Sequence, residues 1–473
     1  DLAKKIGEFQ GDDFVNQSSL SQTIGIMDFF NQTNHTKLNF LCDDCMRFVD
    51  RIRDAGGFPT TRAILKKKAV AFCATKLGAS FCSEAVQAFG DLILDTIFYE
   101  ATVNYFVCAQ FALCGYSTDH MTLTPYVEEI MQDKPEPNVT APPANRTTYT
   151  VLHLTDIHLD FEYAEGTDAF CRGILCCRAE NDIPDDSSRA AGYWGSLGTC
   201  DLPYRTFDQF ARFASSNFNV SKIIWTGDNI DHQVLKQSQE NQTYQTLNVT
   251  EELLRYFPDT VVVPMFGNHE GFPSDQFDTV GDDSEWLLQD LGEMWDEWLT
   301  EDLLSSFTER SFYAKVDAER NLKTIVLNTQ VCNTLNLYLA RDNPNDPLGQ
   351  LAWMREELAD SEESNQPVWI VGHIPPGSLN CNPQWSERYR AIIDRFSNII
   401  KAQFFGHTHN DQFQVVRSFE DDSPVGVIFV APSLSTYAGL NPSFRIYEFD
   451  AETNQPVNYY QYRLNLTKWN ENT

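Results

Sequence analysis

No uninterrupted apolar run in this sequence approaches the roughly 18–20 residues that cross a bilayer, so no transmembrane helix is expected. Basic residues are scarce: 35 Lys and Arg stand against 67 Asp and Glu, a net charge of −32 at pH 7. Such a surface repels phosphate backbones, which removes nucleic acid from the expected partners. The first residues lack the charged, apolar and small-residue succession of a secretory leader, as expected of a chain whose leader has been removed. The single Cys-x-x-Cys, Cys42 to Cys45, has no second to complete a four-cysteine zinc site. Histidine is also sparse, with nine in 473 residues, a length that points to two domains or more.

Six of the nine histidines fall in five short signatures: Asp156-Ile157-His158, Gly227-Asp228-Asn229-Ile230-Asp231-His232, Gly267-Asn268-His269-Glu270, Gly372-His373 and Gly406-His407-Thr408-His409. Each follows an apolar run, at 151–155, 223–226, 261–266, 368–371 and 402–405. Such runs fit parallel strands buried on both faces, and open α/β sheets gather ligands beyond the carboxyl ends of their strands. Any one signature is an ordinary turn with a satisfied histidine. Five together are the oxygen and nitrogen donor set of a two-metal centre, with ions about 3.5–4 Å apart and suited to displacement at phosphorus.

Twelve cysteines divide into two blocks of six: Cys42, Cys45, Cys73, Cys82, Cys108 and Cys114, then Cys171, Cys176, Cys177, Cys200, Cys332 and Cys381. Six cysteines allow about 15 pairings, and counting does not choose among them. Nine Asn-x-Ser/Thr sites, at Asn16, Asn31, Asn34, Asn138, Asn145, Asn219, Asn241, Asn248 and Asn465, point to the secretory pathway. Around the first cysteine block, Cys45, Phe48, Val49 and Ile52, and then Leu94, Ile97, Phe98, Ala101, Tyr105 and Cys108, repeat with helical spacing. Arg62, Lys66, Lys67, Lys68 and Lys76 add a basic patch to an acidic chain. Pro135, Pro137, Pro142 and Pro143 mark a hydrated spacer, so residues 121–148 are expected to be a linker.

The five signatures, with Gly372-His373-Ile374-Pro375-Pro376-Gly377 and Thr436-Tyr437-Ala438-Gly439-Leu440-Asn441-Pro442, resemble the calcineurin-like metallophosphoesterases, and within them the acid sphingomyelinase family, over nearly the whole chain. The first cysteine block resembles a saposin domain. The resemblance implies an α/β metallophosphoesterase of two packed mixed β-sheets flanked by helices, at 149–473. A separate all-α, disulfide-rich, lipid-interacting saposin domain at 38–120 would follow an extension at 1–37. It implies two Zn²⁺, one held by Asp156, His158, Asp228 and His409 and the other by Asp228, Asn268, His373 and His407. A water activated between the ions is then the nucleophile. His232 and His269 are implied in transition-state stabilisation and leaving-group protonation, and Tyr437 in the substrate cleft. The implied disulfides are Cys42–Cys114, Cys45–Cys108, Cys73–Cys82, Cys171–Cys176, Cys177–Cys200 and Cys332–Cys381. His35, His120 and His153 match no motif and are read as structural or surface residues.

The expected function is hydrolysis of sphingomyelin to ceramide and phosphocholine at acidic pH, with the saposin domain meeting the membrane surface. The protein is expected to be monomeric, and secreted or lysosomal. The family's further C-terminal helical, cysteine-containing segment is expected to be absent, because the sequence stops at Thr473. Two alternatives stand beside this reading: a soluble phosphodiesterase acting on nucleotides, and a lipid-binding protein with an idle metal site.

Overall fold

The computed structural model describes residues 46–47, 50, 59–96, 120–136, 146–342 and 345–471. Two mixed sheets organise most of it. In the first, strands run in the order β13 (Pro456–Arg463), β12 (Ser443–Asp450), β1 (Thr148–Leu154), β4 (Val220–Trp225) and β5 (Val261–Pro264). The second orders β10 (Gln412–Arg417), β11 (Pro424–Val430), β9 (Ile400–Phe405), β8 (Val368–Val371), β7 (Leu322–Val326) and β6 (Tyr313–Asp317). Strands β1, β4 and β5, and likewise β7, β8, β9 and β11, pair in parallel, while β12 in the first sheet runs antiparallel to both its neighbours and the second sheet's edge strands β10 and β6 are antiparallel. This explains the sequence pattern: parallel strands covered on both faces are apolar throughout, and β7 and β8 are buried at every residue. A two-strand bridge, β2 (Leu159–Asp160) with β3 (Leu202–Pro203), extends the end of β1.

The sheets face each other across one hydrophobic core. Trp369 of β8 lies 4.3 Å from Phe449 of β12 and 5.4 Å from Phe404 of β9, ring centre to ring centre. Its indole N–H donates to the Asn454 carbonyl at 2.9 Å, so the large ring is buried without an orphaned donor. Truncating it to alanine would cost about 3–5 kcal/mol.

The described helices of more than one turn are α1 (Pro59–Leu77), α2 (Ala79–Asp95), α3 (His120–Met131), α4 (Tyr204–Asn217), α5 (Gln239–Tyr256), α6 (Glu285–Met294), α7 (Glu301–Arg310), α8 (Gln350–Glu363), α9 (Pro383–Arg395) and α10 (Leu466–Asn470). In α4, Phe207, Phe210, Ala211 and Ala214 are buried, an i, i+3, i+4, i+7 stripe that docks on the sheet. α9 starts with Pro383 at its first position and Asn382 as cap, whose side chain accepts from the Gln384 amide at 2.9 Å. No helix among the described residues is long and apolar enough to cross a membrane.

α1 and α2 form a hairpin joined by Cys73–Cys82. Arg62 and Lys66, expected in a free basic patch, are instead paired across the hairpin. Arg62 donates to Asp95 and Lys66 to Asp91, both at 2.9 Å, leaving Lys67 and Lys68 exposed. Cys42–Cys114, Cys45–Cys108, the helical periods around them, His35 and Asn16, Asn31, Asn34, Asn138 and Asn145 lie outside the described residues.

The expected linker at 121–148 is corrected in its first third. Residues 120–131 are the helix α3, which packs on α9 and buries Ile130 in the core of the second sheet. Just beyond it, Lys134 makes a 3.0 Å ion pair with the fully buried Asp394 of α9. Leu123, Tyr126, Val127 and Ile130 supply the apolar stripe, which outweighs Pro125 inside the helix.

Candidate metal centre

The strand ends deliver the predicted ligands to one place. β1 runs into Asp156 and His158, β4 into Asp228 and β5 into Asn268; from the other sheet, β8 runs into His373 and β9 into His407 and His409. All seven meet where the carboxyl ends of the two sheets' parallel strands adjoin. Two groups form there, Asp156 with His158 and His409, and Asp228 with His373 and His407, each with its ligand atoms within 4.8 Å of one another. Oδ2 of Asp228 reaches both, 3.6 Å from His158 Nε2 and 3.1 Å from His373 Nε2. Asn268 Oδ1 lies 3.0 Å from His373 Nε2 and 2.8 Å from His407 Nδ1. His409 Nε2 stands 3.3 Å from Asp156 Oδ1 and 3.1 Å from His158 Nε2.

These contacts are those of a cation site. The Nδ1 atoms of His158 and His373 face the backbone carbonyls of Ile230 at 2.6 Å and Thr226 at 2.7 Å, so each donates its N–H there and turns an Nε2 lone pair inward. His373 Nε2 therefore faces two oxygen acceptors, and His158 Nε2 faces a second imidazole nitrogen. A cation between them would satisfy such a set. Electrostatics agree: burial opposes ionisation of Asp228, but His373 and His269 beside it prevail and hold its carboxyl well below the usual range. Burial likewise opposes charge on His373, yet Asp228 and Asp156 push its ring up to about 9.

Tight turns aim these side chains. Asp156, His158, Asp228, His407 and His409 have φ of 50°, 42°, 58°, 69° and 60°, so five of the seven ligands hold the left-handed backbone that side chains disfavour. The preceding glycines are there for space. A Cβ on Gly227 would overlap the Gly267 nitrogen, and one on Gly406 would overlap the Thr155 hydroxyl and the Asp156 carboxylate. Buried Glu270 joins two of the loops, accepting from the amides of Asn229 and Gly267 at 2.6 Å and of Asp228 at 3.1 Å.

The two other expected histidines flank the ligands. His232 and His269 lie 4.0 and 4.7 Å from His158, ring centre to ring centre, and 4.8 Å from each other. Asp201 engages His232 twice, accepting from its amide at 2.7 Å and from Nδ1 at 2.9 Å. Tyr437 stacks on His232, its ring 3.8 Å away and 4° from parallel, while its hydroxyl donates to the Ile174 carbonyl. His269 has no such backing, for its buried Nδ1 has no hydrogen-bond partner among the described residues. His232 and His409 remain partly exposed, at 14 and 13 %, which marks the open side of the centre. His153 sits behind it, buried against Phe404 with Nε2 3.2 Å from the Thr226 hydroxyl; His120 is the first residue of α3.

Cys171–Cys176, Cys177–Cys200 and Cys332–Cys381 are bonded around these loops. Sequence reasoning did not single out Asp201, Glu270, Asp275 or Arg178. Arg178, next to Cys177, is buried and bridges Asp160, two residues past His158, at 3.0 Å to Asp231, the neighbour of His232, at 2.8 Å. Glu270 was visible in Gly-Asn-His-Glu; the others are lone residues in loops, without a motif to announce them. Of the glycosylation candidates, Asn219 and Asn465 are exposed, while Asn241 and Asn248 are half-buried on α5.

Comparison with known proteins agrees with this geometry. Residues 149–411 match the model of the calcineurin-like phosphoesterase family. The chain is 37 % identical to a sphingomyelin phosphodiesterase of Bos taurus over 330 residues, 68 % of this chain and 52 % of that protein. It is 32 % identical to sphingomyelin phosphodiesterase B of Dictyostelium discoideum over 455 residues, 93 % of this chain and 69 % of that one. It is also 32 % identical to a cyclic GMP-AMP phosphodiesterase of Bos taurus, across 67 % of this chain and 71 % of the other. The chain belongs to the calcineurin-like phosphoesterases, and among them to the sphingomyelin phosphodiesterase family. It spans about half the length of the bovine sphingomyelin phosphodiesterase.

Proposed function

We propose that this chain is a two-zinc phosphodiesterase that hydrolyses sphingomyelin to ceramide and phosphocholine at acidic pH. The observation that carries this reading is the convergence of seven N and O donors with Asp228 shared between two groups. Asp156, His158, Asp228 and His409 would hold one ion, and Asp228, Asn268, His373 and His407 the other. When bound, the ions withdraw charge from the phosphoryl oxygens and acidify the attacking water. The protein's own task is then the departing alkoxide. His232, its Nδ1 hydrogen engaged by Asp201 and its ring held flat by Tyr437, presents Nε2 as the proton donor to that oxygen, a role contributing about 10²–10⁴-fold. His269, without a carboxylate behind it, serves as a hydrogen-bond donor to the phosphoryl group.

Residues 38–120 would act as the saposin-type lipid-handling module, and the catalytic unit would start at α3 rather than at residue 149. The nine glycosylation sites, the disulfides and the charge of −32, which is relieved as carboxylates protonate near pH 5, favour a secreted or lysosomal monomer. A nucleotide phosphodiesterase is the second reading, favoured by the similarity to the cyclic GMP-AMP enzyme. Sphingomyelin is preferred because the Dictyostelium sphingomyelin phosphodiesterase matches 93 % of this chain, the cysteine-rich N-terminal part largely included. Assaying purified protein at pH 5 on sphingomyelin liposomes, phosphatidylcholine and cyclic dinucleotides decides between them. Turnover of the nucleotides alone would overturn the first reading.

A further inference from the structure

Of the seven ligands, Asn268 alone has a side chain whose two ends differ in sign while sharing one shape. Its Oδ1 is a metal ligand, but a half-turn of the amide would aim Nδ2, a donor that binds no cation, at His373 and His407. Something must fix the orientation. Asn268 Nδ2 donates to Asp275 Oδ1 at 3.0 Å, and the Asp275 amide returns a bond to the Asn268 carbonyl at 2.8 Å. Asp275 is itself held: Asn333 Nδ2 donates to the same carboxylate oxygen at 3.1 Å, and Gln330 Nε2 to the Asn268 carbonyl at 3.3 Å. The 330–336 loop carrying these amides is anchored to the His373 loop by Cys332–Cys381 and by the Asn382 amide, which donates to the Cys332 carbonyl at 2.6 Å. An ionised carboxylate only accepts, so it reads an amide's orientation without ambiguity. Asp275 also sits at φ 68°, a conformation that Asp, Asn and Gly tolerate best.

We propose that Asp275 is the positioning residue of the second metal half-site: it locks the Asn268 amide with oxygen toward the ions, supported by Asn333 on the disulfide-anchored loop. This rests on Asn268 being a ligand, as in the proposed function. Asp275→Gly keeps the backbone conformation and removes the acceptor. Its affinity for one of two zinc equivalents should fall about 10–100-fold, the usual effect of losing a ligand's outer partner. Asp275→Asn, with an amide that can turn either way, should fall between it and wild type.

The decisive variant exchanges the pair. In Asn268→Asp/Asp275→Asn the total charge is unchanged, both side-chain ends at position 268 are oxygens, and the amide introduced at position 275 can donate back to them. It should bind the second zinc more tightly than Asp275→Gly, because a fixed oxygen again faces the ions. Equilibrium dialysis against buffered zinc with elemental analysis reads this directly, with melting of the metal-free proteins as the control for folding. Wild type holding fewer than two equivalents overturns the two-ion reading and this inference with it. Wild type holding two, with Asp275→Gly and Asp275→Asn binding both as tightly, overturns the positioning role alone. A lack of rescue in the exchanged pair, with all variants folded, also overturns it.

Discussion

The two sheets bring unlike halves to the centre. The first supplies Asp156, His158, Asp228 and Asn268, three oxygen-bearing side chains and one imidazole; the second supplies only imidazoles, His373, His407 and His409. The oxygen side is braced by further carboxylates, Glu270 on the loop amides and Asp275 on Asn268. The imidazole side leans on its neighbour, since His373 donates to the Thr226 carbonyl and the His407 amide to Asp156, both beyond the seam. Carboxylates are thus concentrated on one sheet and imidazoles on the other. Buried carboxylates without a counter-charge are costly, so neither half is complete by itself.

The largest way to break this asymmetry is Asp228→Ala, which removes the carboxylate common to both groups. Hydrolysis should fall by about 10³-fold or more, on the order of 4 kcal/mol in the barrier, and elemental analysis should find at most one zinc. His407→Ala, on the imidazole side, should lose affinity for one ion but regain activity at high zinc. Equal, unrescued losses would show that the charge asymmetry does not matter.

His232→Ala should retain both metals and lose about 10²–10⁴-fold in turnover of sphingomyelin. The defect should shrink on a nitrophenyl phosphodiester, whose leaving group needs little protonation, and Asp201→Asn should show a weaker form of the same pattern. A uniform defect on both substrates would reassign His232 to phosphate binding.

α3 sharpens the comparison at the outer face of the second sheet. Deleting residues 1–119 should leave hydrolysis of a small soluble ester intact and depress only that of liposomal sphingomyelin. Deleting 1–136 also strips Ile130 and Lys134, leaving Asp394 buried without its cation, at a cost of about 3–5 kcal/mol. Thermal unfolding should separate the two truncations by many degrees, and coincident curves would return this stretch to the status of a linker.

Chelation should abolish hydrolysis, while its effect on stability, per ion, should be the smallest of these. If ions join the two sheets, removing zinc held at 100 times its Kd should destabilise by about 2.7 kcal/mol, and hydrogen exchange should rise at the ends of β4 and β8 together. A rise on one sheet only would deny that the seam is metal-joined.

The contrast between motif and support also describes what the sequence made legible. The convergence of the candidate ligands was readable because each lies within a few residues of a buried strand end, so that chain order and spatial convergence coincide. Asp201 and Asp275 were not, for Asp201 meets His232 across 31 positions, and Asp275 is bound to Asn268 and Asn333 by side-chain amides without periodicity. The apolar runs marked the buried parallel strands, while their division between two packed sheets came from the family resemblance. α3 was missed: the four prolines just beyond it set the expected linker, and the helical stripe at Leu123, Tyr126, Val127 and Ile130 went unread. There tertiary docking against α9 overrides local propensity.

The left-handed ligands carry one more implication. Holding Asp156, His158, Asp228, His407 and His409 at positive φ costs on the order of 1–3 kcal/mol each, a tension that the folded chain sustains and that glycine at those places would release. A catalytically dead relative with glycine there should therefore outlast its active parent in heat once both are free of metal, so selection for durability of the bare chain would erode the chemistry first. The activity of such an enzyme persists against a standing mechanical pull toward a more robust and inert protein.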